Sequence, residues 1–349
     1  MSLRIGGTPV GPGAPAFLVA ELSANHGGSL EHALETVHAA KAAGADAIKL
    51  QTYTADTLTL RSDRPEFTLT GGPWAGRTLH DLYTEAHTPW AWHERLFAEA
   101  RSLELPIFST PFDPSAVALL EALGAPAHKV ASFELVDDGL LGHVAATGKP
   151  VILSTGMASR AEIDHAVAVL RAGGTTDLIL LRCTSSYPAP DAAMHLRSIP
   201  VLAAAYGVPV GLSDHSIGTT AAVAAVTLGA CLIEKHFTLS RAAGGPDAHF
   251  SVEPAEFASL VREVRRTEAM LGEIRFGAGT AEEGSIQFRR SLYAVADIRA
   301  GERFTPTNIR SIRPGHGLPP RTLDALLGRA ARRDIARATP LTPDLLRDD

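Results

Sequence analysis

The chain has 349 residues, 45% hydrophobic and 20% charged, an ordinary globular profile with room for one barrel of about 250 residues and a small second domain. A net charge of −6 speaks against a nucleic-acid partner, which needs a basic surface, and no run is long and apolar enough to span a bilayer. The opening MSLRIGGTPVGPG lacks the apolar core of a secretion signal, and two cysteines placed in core strands, Cys183 and Cys231, point to a reducing cytoplasm.

Taken in chain order, eight short aliphatic or β-branched runs each stop at residues suited to phosphate, carboxylate or metal chemistry. FLVAE ends at Glu21; DAIKLQT carries Lys49 and Gln51; PIFST ends at Ser109 and Thr110; HKVAS brings Lys129 and Ser132. VILST carries Ser154, LILLRCTSS reaches Cys183 and Ser185, PVGLSDH reaches Ser213 and His215, and CLIEKH ends at Glu234 and His236. Helical periodicity fills the gaps, as at 29–43, 89–104, 159–173, 217–228 and 254–271. Eightfold strand–helix alternation predicts an α/β fold, a (β/α)8 barrel, with one site at the carboxyl ends of its strands. Residues 53–88, containing His80, Tyr83 and GGPW, exceed a simple connection and read as a lid or binding loop. The barrel closes at residue 271, and the Gly-, Glu- and Ala-rich stretch 272–288 reads as a linker. From 289 to 349 short strands and turns form a second domain of about sixty residues, too small for much core of its own and expected to dock on something.

The basic residues are unevenly written. There are 27 Arg and five Lys: Lys41, Lys49, Lys129, Lys149 and Lys235. Lys49 and Lys129 fall on strands 2 and 4 and read as facing an anionic substrate group in the barrel mouth. Lys41 and Lys149 read as surface, and Lys235, out of phase with Glu234 and His236, as facing the helices.

His215 and His236 end neighbouring strands, with Asp214 and Glu234 beside them, and can hold a divalent ion with positions left open. The blander alternative is a pair of structural histidines, and the spacing does not name an ion. Ser132, Ser154 and Ser213 as a set can cradle a phosphate; singly, each reads first as a helix N-cap. Glu21, Asn25, His26, Glu134 and Asp247 offer hydrogen bonds to a polyhydroxylated substrate, though Asn25 and Asp247 can equally cap loops. Glu234, in phase with His236, is the general acid/base candidate. Cys183 reads as a buried cysteine, since no motif activates it.

The ordered motifs AELSANH, ADAIKLQTYT, FSTPFD, KVAS, VILSTGMAS, CTSSYPAP, GLSDHS, EKHF and GPD resemble the sialic acid synthase family. The last sixty residues, with RRSLYAVADIRAGERFT and RSIRPGHGLPP, are similar to its mostly-β antifreeze-like (SAF, β-clip) domain. That resemblance implies a transferase that condenses phosphoenolpyruvate with an N-acylated amino sugar, in a cytoplasmic, domain-swapped homodimer. It implies Lys49, Thr110, Lys129, Ser132, Ser154 and Ser213 for phosphoenolpyruvate, and Gln51, Glu134, Tyr187 and Asp247 for the sugar. Arg313 would reach the sugar from the partner subunit. His215 and His236 would hold Mn2+, or Mg2+ or Co2+, and Glu21 and Glu234 would join them as catalytic groups. AELSANH, the Ser-Ser of CTSSYP and RSIRPG look most like the pseudaminic acid branch, whose sugar is 2,4-diacetamido-2,4,6-trideoxy-L-altrose. The rivals are N-acetylneuraminate or legionaminic acid synthesis, a metal-dependent aldolase, and a non-catalytic carbohydrate-binding protein.

Overall fold

A computed structural model describes residues 3–72 and 74–347. Pro73 of GGPW, the first two residues of the expected barrel domain and the last two of the expected tail lie outside it. The chain divides into two compact units, one ending at Gly272 and the other beginning at Glu273.

The first unit opens with an antiparallel hairpin, β1 (Leu3–Ile5) and β2 (Thr8–Val10), which the sequence reading did not anticipate. Eight strands follow: β3 (Phe17–Glu21), β4 (Ala47–Thr52), β5 (Ile107–Pro111), β6 (His128–Val130), β7 (Val151–Ser154), β8 (Leu178–Cys183), β9 (Val210–Asp214) and β10 (Leu232–His236). They pair in parallel, each with the next, and β10 returns to β3, closing the expected barrel. Around it run α1 (Leu30–Ala42), α2 (Ala55–Leu58), α3 (Leu79–Ala86), α4 (Trp90–Ser102), α5 (Pro114–Ala122), α6 (Asp138–Ala145), α7 (Arg160–Ala172), α8 (Ser198–Tyr206), α9 (Thr220–Thr227) and α10 (Pro254–Leu271). The helices start where the sequence provides for it: Asp113 caps α5 ahead of Pro114, and Ser159 with Glu162 forms a reciprocal capping box on α7.

Strand alternation sorts the side chains into two layers. Leu18, Ile48, Leu50, Ile107, Leu153, Leu180, Leu212 and Ile233 face the helices. Phe17, Val19, Ala47, Phe108, Ile152, Ile179, Leu181 and Leu232 fill the interior, and the hairpin's Leu3, Ile5 and Val10 pack with them. The interior is crowded: a Cβ on Gly211 would lie 2.8 Å from Leu181 Cδ2 and collide with the Leu232 carbonyl. Moving two residues toward the carboxyl end of each strand in the same phase gives Glu21, Lys49, Thr110, Lys129, Ser154, Cys183, Ser213 and Glu234, with His236 one step further. The site is thus the upper storey of the inward-facing layer.

The second unit pairs β11 (Ser291–Ala294) with β12 (Ile309–Ile312) in antiparallel fashion, adds the short α11 (Leu323–Leu326), and gathers Leu292, Ile298, Phe304, Ile309, Ile335 and Leu341 into its own core. The expected linker is not wholly unstructured, because its last residues, Glu283–Phe288, form a 3-10 helix. Among the described residues no helix is long and apolar enough to cross a membrane.

Candidate active site

At the carboxyl end of the barrel, one cavity is lined by Lys49, Gln51, Thr110, Lys129, Ser132, Ser154, Cys183, Tyr187, Ser213, His215, Glu234 and His236. The strands deliver most of these directly, and the loops after β6, β8 and β9 bring Ser132, Tyr187 and His215. Two ammonium groups sit where water barely reaches, Lys49 and Lys129 each being 2% exposed. Burying an uncompensated charge costs several kcal/mol, about 3–5 when a partner is missing, so their surroundings matter. Lys49 Nζ lies 2.6 Å from Glu21 Oε2 and 3.9 Å from Glu234 Oε1, and donates to Thr110 Oγ1 at 3.0 Å. Lys129 Nζ lies 4.0 Å from the same Glu234 oxygen and donates to the Val130 carbonyl.

The two carboxyls are driven apart. Burial pushes Glu21 up to about 7, opposed by Lys49 and reinforced by Glu234. Glu234, although burial works against it, is held below the usual carboxylate value by Lys129, Lys49 and His215. Burial likewise opposes the charge on Lys49, but Glu21 and Glu234 outweigh it and raise that lysine. Lys129 is lowered by burial despite Glu234. Two lysines thus meet two carboxyls of opposite tendency, Glu21 inclined to keep a proton and Glu234 to lose it, so an anion entering the cavity finds two ammonium groups to meet it.

The serines are not helix caps. The caps of α6, α7 and α9 are Asp137, Ser159 and Thr219. Ser132 Oγ instead accepts from the Gly156 N–H at 2.9 Å, and Ser213 Oγ donates to Glu234 Oε1 at 3.2 Å. Ser154 Oγ is buried without a hydrogen-bond partner, a costly state unless something fills it. Gly156 was not singled out from the sequence, yet only glycine fits: a Cβ there would lie 2.7 Å from Ser132 Oγ and 3.2 Å from Cys183 Sγ.

His215 and His236 face each other with ring centroids 5.4 Å apart. The Nδ1 of His215 is 3.0 Å from the Thr184 carbonyl, so it carries the proton and leaves Nε2 as the ligating nitrogen. His236 Nδ1 is buried without a hydrogen bond, 3.7 Å from Asp247 Oδ2, and burial, with the buried lysines Lys49, Lys235 and Lys129 adding to it, keeps this ring's proton affinity well below the usual imidazole value. Two neutral-capable imidazoles with oriented nitrogens fit a divalent ion. Among the described residues no group of three or more His, Cys, Asp or Glu side chains is arranged to hold a metal ion by itself. Asp214 corrects the sequence reading. It turns to the helix layer, where Lys235 Nζ donates to its Oδ2 at 2.7 Å, while Lys235 itself faces outward as expected. Cys183 Sγ faces the cavity 4.0 Å from His215 Nδ1, and its thiol is drawn down to about 7, against burial, chiefly by that histidine.

The remaining candidates divide. Tyr187 packs against His215, ring centroids 4.4 Å apart and tilted by 44°, and also contacts Trp74 at 6.0 Å. Trp74 belongs to the long 53–88 connection and donates from Nε1 to the Pro246 carbonyl, so that connection crosses to the loop after β10. Glu134 is half-buried with Oε2 unpartnered, and burial pushes it up to about 7. His26 leaves the substrate list, whereas Asn25 has its amide nitrogen engaged and its Oδ1 buried without a partner. Asn25 Nδ2 ties the Phe237 carbonyl to Ser251 Oγ, and both ring nitrogens of His26 are engaged by Ala86 and Gly28. Lys149 is not free surface either, since it holds the Ala125 carbonyl and Glu121. Arg313 is exposed on the second unit.

The chain matches the model of the NeuB family over residues 36–276 and that of the SAF domain over 289–347. It is 44% identical to the pseudaminic acid synthase of Campylobacter jejuni, covering 91% of this chain and 93% of that one. It is 42% identical to the pseudaminic acid synthase of Helicobacter pylori, over 95% and 97%. Among solved structures, the N-acetylneuraminic acid (sialic acid) synthetase of Leptospira borgpetersenii, in complex with citrate, superposes with a TM-score of 0.74 at 33% identity, over 83% of this chain and 96% of that one. Barrel, site and comparisons agree that this chain belongs to the NeuB family.

Proposed function

We propose that this chain condenses phosphoenolpyruvate with 2,4-diacetamido-2,4,6-trideoxy-L-altrose and water, giving pseudaminic acid and phosphate. The observation that carries the reading is the pair of buried ammoniums, Lys49 and Lys129, set around Glu234 beneath a ring of hydroxyls. The choice of sugar rests on relatives named pseudaminic acid synthase at 42% and 44% identity over more than nine-tenths of the chain.

Lys49, Lys129, Thr110, Ser132, Ser154 and Ser213 would take the phosphate and carboxylate of phosphoenolpyruvate, the unpartnered Ser154 hydroxyl gaining its missing bond. Gln51, Glu134, Tyr187 and Asp247 would orient the open-chain sugar, with Arg313 added from a partner subunit. C3 of phosphoenolpyruvate then attacks the aldehyde carbon, and C2 becomes cationic. Water adds at C2, and the resulting tetrahedral centre expels phosphate by C–O cleavage. A divalent ion bound at His215 and His236, Mn2+ or else Mg2+ or Co2+, would supply Lewis acidity toward the aldehyde oxygen. Glu234 and Glu21, held at different protonation preferences, are placed to move the protons. The lysines offset the charge that the departing phosphate gathers, in a site already oriented and largely dry.

We assign the protein to the cytoplasm as a domain-swapped homodimer. Its cysteines are unpaired and buried, and fractionation of source cells tests the compartment. The activity test is a panel of the altrose derivative, N-acetylmannosamine and the legionaminic acid precursor, each with phosphoenolpyruvate and released phosphate as readout. The altrose derivative should give the highest kcat/KM and equimolar phosphate. A higher value for N-acetylmannosamine would refute the sugar, and sugar consumed without phosphate release would refute the reaction.

A further inference from the structure

We infer that Ser23 is a positioning residue that aims Asp247 at the sugar, an inference resting on the sugar-binding reading of Asp247. Ser23 follows β3 by two residues and is buried at 2% exposure, yet adopts φ +46°. That left-handed conformation is strained for a residue bearing a Cβ. Here it has a geometric result. The Ser23 hydroxyl donates to Asp247 Oδ2 at 2.5 Å, and the next backbone N–H, from Ala24, reaches the same oxygen at 3.4 Å. Oδ1 receives no hydrogen bond among the described residues, so one oxygen is clamped and its twin is left for a ligand.

The clamp is itself braced. The Asn25 N–H closes a turn onto the Leu22 carbonyl, and Asn25 Nδ2 grips the Phe237 carbonyl and Ser251 Oγ across the barrel seam. Ser251 Oγ in turn donates to the Asp247 carbonyl at 2.7 Å. Asp247 is therefore held at its side chain by the loop after β3 and at its backbone by Ser251, which Asn25 of that loop grips in turn. A carboxylate so held has little rotational freedom to lose when it meets a hydroxyl of the substrate. Ordinary loop bracing would need only the Asn25 contacts. The strained Ser23 adds bonds to the carboxylate alone.

Two substitutions separate the hydroxyl from the strain. Ser23→Gly adopts positive φ without steric cost and removes the hydroxyl; Ser23→Ala removes the hydroxyl and keeps the strain. Steady-state kinetics on the full-length protein, with thermal midpoints, should show KM for the sugar rising about tenfold in both, the size expected for a lost charge-assisted hydrogen bond. KM for phosphoenolpyruvate and the midpoint of Ser23→Gly should match the parent. Asp247→Asn is the reference and should raise the sugar KM, with Ser23→Gly adding little on that background. If Asp247→Asn raises it and Ser23→Gly does not, the positioning role is wrong. If KM rises equally for both substrates, Ser23 merely braces the loop and the inference also falls. An unchanged sugar KM in Asp247→Asn would instead overturn the reading of Asp247 beneath it.

Discussion

In the barrel, Lys49, Lys129, Glu21 and Glu234 are buried within a few ångströms of one another, whereas the buried polar residues described in the second unit are only Ser291 and Asn308. The balance of charge differs too. Residues 1–272 hold 28 Asp and Glu against 19 Lys and Arg, net −9; residues 273–349 hold 13 Arg against 10 Asp and Glu, net +3. The tail writes every cation as Arg, and the ion pair Arg333–Asp344 sits on its surface, where such pairs contribute little to stability. The barrel keeps all five Lys and buries three of them. Desolvated charge is destabilising by itself, so its concentration at one end of one unit marks where chemistry demands it.

The largest effect that would break or sharpen this contrast is an all-or-none recovery. His236→Ala damages the barrel and Arg313→Ala the tail, and each protein alone should be inactive. Co-refolded as a swapped homodimer, each mixed pair has one site with both lesions and one with none. Activity should return toward about a quarter of the parent value for random pairing. Mixed dimers demonstrated in solution yet inactive would show that each tail serves its own barrel. Next in size is a pair of buried lysines with opposite fates. Lys129→Met should lower kcat/KM for phosphoenolpyruvate by about a hundredfold or more, because it removes one of the two ammonium groups that meet the anion. Lys235→Met should leave both KM values alone but destabilise folding by about 3–5 kcal/mol, since Asp214 is left buried without its partner. Denaturant melts and initial rates on both variants decide it; the same defect in both would erase the distinction between functional and structural buried charge.

That distinction was partly legible in the sequence. Period-two alternation placed Lys49 and Lys129 inward and Lys235 outward, because strand geometry fixes phase regardless of partner. Alternation also puts Asp214 outward, as the residue between Ser213 and His215. The metal reading had nonetheless set it beside the histidines, and only its contact with Lys235 gives it a role. The eight strands were readable from aliphatic runs. The β1–β2 hairpin was not, since two three-residue strands carry no period. Ser132, Ser154 and Ser213 could not be told from helix caps until the true caps were seen a few residues later in the chain. Ser23 and Gly156 depend on a positive φ and on close approaches between distant loops, which no local pattern encodes. His26 looked like a substrate group because polar residues at a strand end look alike whether they face a ligand or brace the loop that holds it.

The smallest effect concerns Glu134, which stands at the edge between the buried and the surface regime. Burial is the main cause that pushes its carboxyl from 4.5 up to about 7, with its own backbone hydrogen bond and then Lys129 opposing. A group whose proton is held more tightly when folded stabilises the fold at low pH and loses that contribution as pH rises through about 7. Glu134→Gln stays neutral throughout. It should therefore match the parent near pH 4, below the unfolded value, and exceed it by about 1–3 kcal/mol near pH 8, as measured by urea unfolding at both values. Glu21 is raised in the same direction, so the parent and the variant share its slope, and the difference between the two curves isolates Glu134. The same variant should have a higher KM for the sugar if the unpartnered Oε2 meets a hydroxyl there. A difference curve that is flat from pH 4 to 8 would mean that water reaches Glu134 freely, and that the border of the buried-charge region lies deeper in the barrel.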